Sequence, residues 1–367
     1  MFTQLRYLSL SSLFIFLIFF TFQVEAKKDV VSGIITDSIT GEPVAHVEVF
    51  VSGTTVGCIT DTQGKFSIEL PFLPCVLVAD HISYKPYIKI LQNTPTELKI
   101  SLTPSVYSIS EVEVKSKSNR RSNLRYFYSH FIPENRNRIE ILNDSVLFFS
   151  RTDMKFTAKS NEPLIIVNRY LGYKITVLLD EFSVIRTNGP TGEQIQLNSN
   201  KGGVIKTLSG YYYYEQLNET SHKKLEEYAN NRRNTYYGSY RHLLKSIYED
   251  SCETQGFLIH SFPEEESAGF IRTGNTILPG NINEFKIDAD SIHVYYYSDV
   301  NKNPMPLVET SWRRFYNQSF SKIYPTDEPF LLRENGTSPK LTFVIIGLLF
   351  DKSFANSLPE DYDPIDF

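Results

Sequence analysis

The feature that most constrains the fold of this chain is a series of short alternating segments between residues 29 and 103. Apolar side chains recur at every second position of residues 45–51 and again in residues 66–70, the period typical of strands with one buried face. Turn residues separate these segments, as in residues 37–43, where Asp bonds its own backbone and Gly accepts positive φ. Such segments at intervals of roughly eight to twelve residues predict a β-sandwich.

About seven strands are predicted in this module. Pro71 and Pro74 stop the pairing after the fourth, because proline has no N–H group to donate to a ladder. The predicted strands are 30–36, 45–51, 57–60, 66–70, 76–79, 87–91 and 98–102. The fold class predicted for this part of the chain is therefore mainly β.

The turns and alternations of this module also carry a family resemblance. The pattern consists of Gly33, Asp37, Thr40, Gly41, Pro43 and Val44, then Val49, Val51, Gly53 and Thr54, then Gly57, Thr60, Asp61, Gly64 and Phe66. This spacing resembles the carboxypeptidase-regulatory-like domain, which has a transthyretin-like sandwich and is common in exported proteins of Bacteroidota. Ser83 departs from the family, which usually has Gly before the Tyr that matches Tyr84. The resemblance implies a seven-stranded sandwich over residues 29–103.

The family name does not imply a carboxypeptidase here. A zinc carboxypeptidase of the matching type needs His-x-x-Glu and a distant third His on one metal. None of the 7 histidines is followed by Glu three residues later. We therefore predict no catalytic residue, no metal and no cofactor, and we interpret the module as an accessory domain without its catalytic partner.

Residues 1–26 are predicted to be a signal peptide. Arg6 supplies a basic start, residues 8–22 are apolar, and Val24 and Ala26 place small side chains where a signal peptidase reads them. The apolar stretch is shorter than the roughly 20 residues of a spanning helix, and the later apolar run 341–350 is shorter still. No transmembrane span is expected after cleavage. The mature chain is predicted to be exported, to the periplasm or in association with the outer membrane.

Composition excludes several classes of protein. A hydrophobic content of 41% can fill a core, so the chain is not disordered overall. The net charge of −5 offers no broad basic surface for nucleic acid, and 3 cysteines cannot form a disulfide-rich scaffold. Cys58 and Cys75 belong to strands expected to be neighbours and could pair if their Cα atoms lie within about 7 Å, which the sequence leaves open.

Residues 104–125 are predicted to link the sandwich to a second domain. The stretch 115–123 is polar and basic and contains no apolar residue. A solvated linker is the favoured interpretation, and a patch for anionic lipid or polysaccharide is the alternative.

Residues 126–367 are predicted to form a larger β-rich α+β domain with a short helical pair. One helix is expected to begin near Thr220 or Ser221, either of which is a good N-cap, and the other near Gly238 and Ser239, ahead of an apolar stripe within residues 240–248. The predicted strands are 145–150, 155–159, 164–168, 172–185, 203–213, 256–261, 291–297, 329–333 and 341–350. Segments at 141–143, 163–173, 233–244 and 358–364 resemble the uncharacterised region that follows this sandwich in many Bacteroidota envelope proteins. The resemblance implies no particular activity.

The richest cluster of polar and aromatic residues lies at the corner between the two predicted helices. We predict a binding site formed by Arg232, Arg233, Tyr236, Tyr237, Gly238, Ser239 and Arg241. Arginine binds carboxylate or phosphate, tyrosine stacks on sugars or peptides, and a helix start offers N–H groups to an anion. The alternative is a structural corner in which these side chains pack.

The run of four tyrosines at residues 211–214 is a second aromatic feature. In a strand, two of these side chains face each side. One pair is expected in the core and the other at the surface, either as a rim or as an exposed aromatic shelf.

These features together predict a non-catalytic protein of the cell envelope with a role in binding or assembly. Its sandwich is expected to act as a protein- or glycan-interaction module, including the addition of a partner strand at a sheet edge. The expected partner is an envelope protein, a glycan or a peptide. The alternative is a periplasmic enzyme that processes glycans or peptides, with its site in the C-terminal domain.

Overall fold

The fold is that of a computed structural model. It describes residues 29–105, 117–132, 137–186, 204–262, 270–273, 281–296, 320–326, 328–339, 343–347 and 357–364. The predicted signal peptide and residues 106–116 of the predicted linker lie outside the described residues.

The N-terminal module is a sandwich of seven strands, as predicted. Its strands are β1 (Asp29–Asp37), β2 (Glu48–Val51), β3 (Gly57–Ile59), β4 (Lys65–Leu70), β5 (Cys75–Asp80), β6 (Tyr87–Leu91) and β7 (Leu98–Leu102). One sheet has the order β4-β1-β7 and the other the order β3-β2-β5-β6. Strand β1 runs antiparallel to β4 and parallel to β7.

The two sheets close on each other because their alternating apolar side chains meet between them. Val31, Leu77 and Ile100 are fully buried in this core. The predicted turn after β1 also forms. The carboxylate of Asp37 accepts two backbone N–H groups of its own turn and the hydroxyl of Tyr84 at 2.9 Å, and these hydrogen bonds lower the pKa of Asp37.

Cys58 and Cys75 are free thiols, so the disulfide that the sequence left open does not form. The expectation that their strands are neighbours was wrong. Strands β3 and β5 both pair with β2, from opposite sides. Two strand spacings amount to roughly 10 Å, which exceeds the Cα separation of about 7 Å that a disulfide tolerates.

The second unit is a six-stranded sheet, called here the central sheet. It contains β8 (Ile139–Ile141), β9 (Leu147–Arg151), β10 (Lys155–Ser160), β11 (Leu164–Asn168), β12 (Tyr173–Arg186) and β13 (Val204–Gln216). The order is β8-β11-β12-β10-β9, and β13 pairs with β12 along nearly the whole length of both strands. The sequence predicted all of these strands except β8.

Helix α1 (Lys117–Phe131) packs on the central sheet, where the sequence predicted a linker up to residue 125. Phe127 and Phe131 are buried in the core of the sheet. Arg120 donates to the carbonyl groups of Asp144 and Leu147 at 2.8 and 2.9 Å, next to the start of β9. The apolar side chains of the helix lie in its second half, so its first half has the composition of a linker.

The third unit contains two helices and seven strands among the described residues. They are α2 (His222–Tyr236), α3 (Tyr240–Tyr248), β14 (Phe257–Phe262), β15 (Phe270–Arg272), β16 (Ile282–Ile287), β17 (Ser291–Tyr296), β18 (Phe320–Pro325), β19 (Phe330–Arg333) and β20 (Phe343–Gly347). The strands form sheets of order β14-β17-β18-β20 and β15-β16-β19. The predicted helical pair is confirmed, and Ser239 caps α3 by accepting the N–H of His242 at 3.2 Å.

No helix among the described residues combines the length and the apolar character that crossing a membrane requires.

Two carboxylates face each other on the outer surface of the sandwich. Glu48 in β2 lies directly opposite Asp80 in β5. Burial and, secondly, the negative charge of Glu48 raise the pKa of Asp80 to about 6. At neutral pH the folded protein therefore holds Asp80 ionised in a place that favours its neutral form.

We expect Asp80→Asn to stabilise the protein at neutral pH, because it removes a negative charge that the folded state disfavours. The gain should be about 1–2 kcal/mol, since solvent already screens part of this charge. The contribution of Asp80 to the free energy of unfolding is fully present below the pKa that Asp80 has in the unfolded chain, and it is lost as pH rises through about 6. The unfolding free energies of the two proteins should therefore converge as pH falls from about 6 towards 4. Urea unfolding across this range tests the expectation, with the exposed Asp29→Asn as control. A difference that does not vary with pH would contradict it.

Candidate functional site

Residues 357–364, called here the C-terminal segment, lie where the three units meet. The hydroxyl groups of Ser357 and of Tyr214 in the central sheet are 2.6 Å apart. The N–H of Glu360 donates to the carbonyl of Gly53 in the sandwich at 2.7 Å. The segment therefore connects two units directly, and the side chains of the third unit hold it from another side.

Arg241 of α3 binds the backbone of the C-terminal segment. Its guanidinium donates to the carbonyl groups of Pro359, Glu360 and Tyr362 at 2.5, 2.8 and 2.6 Å. Asn335 adds a hydrogen bond to the carbonyl of Glu360 at 2.9 Å. Burial lowers the pKa of Arg241, but a guanidinium remains charged in proteins, so the carbonyl oxygens provide the compensating partial charge.

The side chain of Glu360 is half-buried beside Arg333, with 3.5 Å between the carboxylate and the guanidinium. Burial raises the pKa of Glu360, and the charges of Arg333 and Arg241 partly offset this effect. Arg333 also donates to the carbonyl of Pro74 and lies 4.2 Å over the ring of Phe72, both in the sandwich. One arginine of the third unit therefore contacts the C-terminal segment and the sandwich together.

Asp361 binds the sandwich through a single residue. Its carboxylate accepts the backbone N–H of Thr55 at 3.0 Å and also the hydroxyl of Thr55. Beside it, Gly53 has a φ of +85°, and a Cβ there would lie 3.0 Å from a carboxylate oxygen of Glu360. The residues that hold the C-terminal segment are called here the cradle: Gly53, Thr55, Arg241, Arg333 and Asn335.

The sandwich also packs directly on β13. The N–H of Gly53 donates to the carbonyl of Tyr212 at 2.7 Å, so the loop after β2 continues the hydrogen bonding of the central sheet. The ring of Phe50 stacks on Tyr213 with centroids 5.2 Å apart. Gly57 is required at this contact, because a Cβ there would lie 2.8 Å from the ring of Tyr213.

The four tyrosines of residues 211–214 divide between two faces, as the strand pattern predicted. Tyr212 and Tyr214 pack in the core of the central sheet. Tyr213 points to the other side and meets the sandwich. The surface that could have been an exposed aromatic shelf is therefore covered, at Tyr213, by a strand of the same chain.

The predicted binding residues take part in contacts within the chain. Arg232 is buried over the ring of Tyr173 at 4.1 Å and donates to the carbonyl of Leu171 at 2.8 Å. Tyr236 is buried, and Tyr237 is 45% exposed. Arg233, half-buried near the end of α2, accepts the N–H of Tyr237 at its carbonyl.

The helix start predicted as an anion site has internal partners as well. The N–H of Gly238 donates to the ring of His242 at 3.1 Å, and the hydroxyl of Ser239 accepts the N–H of His242. Gly238 has a φ of +72°, and a Cβ there would lie 2.4 Å from the ring of Tyr296. The structure thus brings the predicted residues to one corner, where Arg241 reaches the C-terminal segment.

Sequence reasoning missed four of the five residues of the cradle and the role of the C-terminal segment. Gly53 and Thr55 lie in one turn, and the partner of Thr55, Asp361, is more than 300 residues away along the chain. Arg333 ends a predicted strand, and Asn335 follows it. The one available signal was the stretch 358–364, which resembled part of the uncharacterised region without an assigned role.

The described residues contain no group of three or more His, Cys, Asp or Glu side chains that could hold a metal ion. Cys252, the remaining cysteine, is half-buried, and burial raises the pKa of its thiol to about 12. A thiol with a raised pKa is a poor nucleophile, because the thiolate is the reactive form.

Comparison with known proteins supports the interpretation of the N-terminal module. Residues 31–114 match the family model described as the CarboxypepD_reg-like domain. The sandwich is therefore a carboxypeptidase-regulatory-like domain, and the match extends beyond its last strand. No curated protein matches the chain.

Several solved structures from Bacteroides are similar to this chain. A DUF3823 family protein from Bacteroides ovatus is 11% identical, over 52% of this chain and 96% of that one, with a TM-score of 0.17. A candidate carbohydrate-binding protein from Bacteroides uniformis is 10% identical over 75% and 93%, with a TM-score of 0.18. A candidate membrane-associated protein of unknown function from Bacteroides fragilis is 10% identical over 73% and 89%, also with a TM-score of 0.18. TM-scores of this size do not establish a shared overall architecture.

We expect Arg241→Met to destabilise the protein by at least about 3 kcal/mol, because three buried carbonyl groups lose a charged donor. Urea unfolding gives the magnitude. Protease cleavage near the C-terminal segment should become faster in the variant, because the segment is held less tightly.

Lys245→Met on the same helix is the matched control. It removes a half-exposed ion pair with Glu249 at 2.9 Å and a long hydrogen bond of 3.3 Å to the carbonyl of Glu334, so the expected loss is about 1 kcal/mol. Equal effects of the two substitutions would contradict the importance of Arg241.

Proposed function

We propose that this chain is an exported, non-catalytic protein of the cell envelope whose sandwich binds another envelope protein. The location is the periplasm or the periplasmic side of the outer membrane. The contact that we assign to the partner is the free edge of β6. The observation that carries the proposal is the pair of exposed isoleucines on that strand.

Strand β6 is the last strand of the sheet β3-β2-β5-β6, and none of the other described strands pairs with its outer edge. Ile88 is 42% exposed and Ile90 is 63% exposed. Both lie on the same face, opposite Val78 and Val76 of β5. An edge with free backbone groups and two apolar side chains is suited to pair with an added strand.

In the other sheet of the sandwich, the outer faces of β4 and β7 are polar. In β4 and β7 the exposed positions carry Lys65, Ser67, Glu69, Lys99 and Ser101. Polar side chains of this kind are typical of a surface that stays in water. Val30 in β1 and Ile59 in β3 are also exposed, each as a single apolar residue of its strand, whereas β6 carries two exposed isoleucines on one face.

The geometry of the cradle supports a scaffold more than a reaction site. Two of the three cationic side chains of the predicted binding cluster, Arg232 and Arg241, bind carbonyl groups of the chain itself. Arg241 holds the C-terminal segment, which in turn bonds the sandwich at Gly53, and so helps to fix the position of the sandwich. A module held in this way presents its edge strand without a hinge, which lowers the entropy cost of binding.

The chemistry of the edge defines the partner segment. Because side chains alternate along a strand, Ile88 and Ile90 would contact apolar residues at alternate positions of an extended segment. We therefore assign the occupant as an extended protein segment with alternating apolar side chains.

We expect the tagged full chain, purified from gently solubilised envelopes, to retain one partner at near-stoichiometric amounts in mass spectrometry. The double substitution Ile88→Thr and Ile90→Thr keeps strand propensity but removes apolar area, and should reduce recovery by about tenfold or more. Ile39→Thr is the control, since Ile39 is 79% exposed in the turn after β1. Recovery of free monomer alone, or equal recovery with both variants, would overturn the proposal. Retention of a glycan and no protein would overturn the assignment of the occupant.

A further inference from the structure

A shallow, open depression lies on the surface of the central sheet beside α1. Its lining combines cationic and apolar side chains from α1, β9, β10 and β12. The residues that matter here are Tyr126, Arg151, Asp153, Met154, Lys155 and Arg186. Neither the proposed partner contact nor the cradle uses any of them.

We propose that this depression binds the phosphate group of a small phosphate ester. Arg151 and Arg186 donate to the phosphate oxygens, and Tyr126 and the exposed Met154 contact the organic part of the ligand. Guanidinium groups suit phosphate because their planar N–H donors match pairs of phosphate oxygens.

The two arginines differ from other cations of the central sheet in their partners. Lys155 and Lys159 both pair with Glu181, at 2.9 and 3.2 Å. Among the described residues, no carboxylate lies within ion-pair distance of either Arg151 or Arg186. Both side chains are exposed, so their donors are accessible to a ligand from solution.

The position of Arg151 is fixed before a ligand arrives. Its guanidinium lies 4.4 Å over the ring of Tyr126. This contact orients the guanidinium by its face and leaves its in-plane N–H groups for hydrogen bonds. The ring of Tyr126 is itself held against Phe156, with centroids 4.9 Å apart. A preorganised donor loses less entropy on binding than a freely rotating one.

The charge of the lining favours an anion. Three of its side chains are cationic, and Asp153 is the acidic one. Pairing of Lys155 with Glu181 reduces its contribution but leaves the charges of Arg151 and Arg186. Arg121 and Arg125 are exposed on α1, and no acidic residue occurs within that helix, so its positive charge is not compensated locally.

His130 lies next to this charge and provides a way to observe it. Its ring is 4.2 Å from that of Tyr126, and its Nδ1 lies 2.9 Å from the carbonyl oxygen of Tyr126. Burial lowers the pKa of His130; the backbone hydrogen bond opposes this, and the charges of Lys206, Arg151 and Arg186 lower the pKa further. An anion held by the two arginines would reduce their effect on His130.

Titration of the full chain with glucose 6-phosphate, followed by NMR of the histidine rings, tests the proposal. Inorganic phosphate and glucose are the comparison ligands. We expect glucose 6-phosphate to bind more tightly than inorganic phosphate, glucose not to bind, and the pKa of His130 to rise in the complex. His130→Gln identifies the resonance. Arg151→Gln and Arg186→Gln should each weaken binding by roughly tenfold.

Arg169→Gln is the matched control, because Arg169 is an exposed arginine of the same unit that pairs with Glu140 at 3.1 Å. The affinity of the Arg169→Gln variant for glucose 6-phosphate should equal that of the unchanged chain. Equal losses in all three variants, no loss in Arg151→Gln and Arg186→Gln, or an unchanged pKa of His130 would overturn the site. Inorganic phosphate binding as tightly as glucose 6-phosphate would overturn the assignment of an ester. Circular dichroism of each variant verifies that the fold is retained.

Discussion

The partly buried guanidinium of Arg241 is the group on which the joining of the three units depends. A charge removed from water is costly unless it is fully hydrogen-bonded, and Arg241 obtains three of its four carbonyl acceptors from one short segment and the fourth from Asn335. The carbonyl groups of a turn converge only when the turn is in place. The position of the C-terminal segment and the burial of Arg241 therefore require each other. Removing either would leave the other with unsatisfied polar groups.

The remaining contacts extend this mutual dependence to the sandwich. Once the segment is in place, its Asp361 meets Thr55, and its Glu360 meets Arg333, which also contacts Phe72. The loop after β2 then pairs with β13, and Phe50 stacks on Tyr213. Polar contacts set the position of the sandwich, and the aromatic stack adds apolar burial. Together they hold the sandwich, and with it the edge strand β6, at a defined place on the molecule.

The parts of the fold that the sequence predicted are those with local causes. The seven strands of the sandwich follow from alternation and turn residues, and α3 begins where Ser239 can cap it. Helix α1 was missed because its buried residues, Phe127 and Phe131, lie at its end, behind a polar start. The cradle could not be predicted, since Arg241 and its acceptors are separated by more than 100 residues and no local pattern reports such a pairing.

The predicted cluster at the helix corner shows why residue chemistry alone did not identify a ligand. Arginine was expected there to bind an external anion, but Arg241 binds carbonyl groups of its own chain. The same donors serve both purposes, and the difference lies in what the fold places beside them. Arg151 illustrates the opposite case, since its face is held by Tyr126 while no described carboxylate takes its N–H groups. A guanidinium that is positioned but not paired within the chain is therefore a better indicator of a ligand site than a cluster of arginines in the sequence.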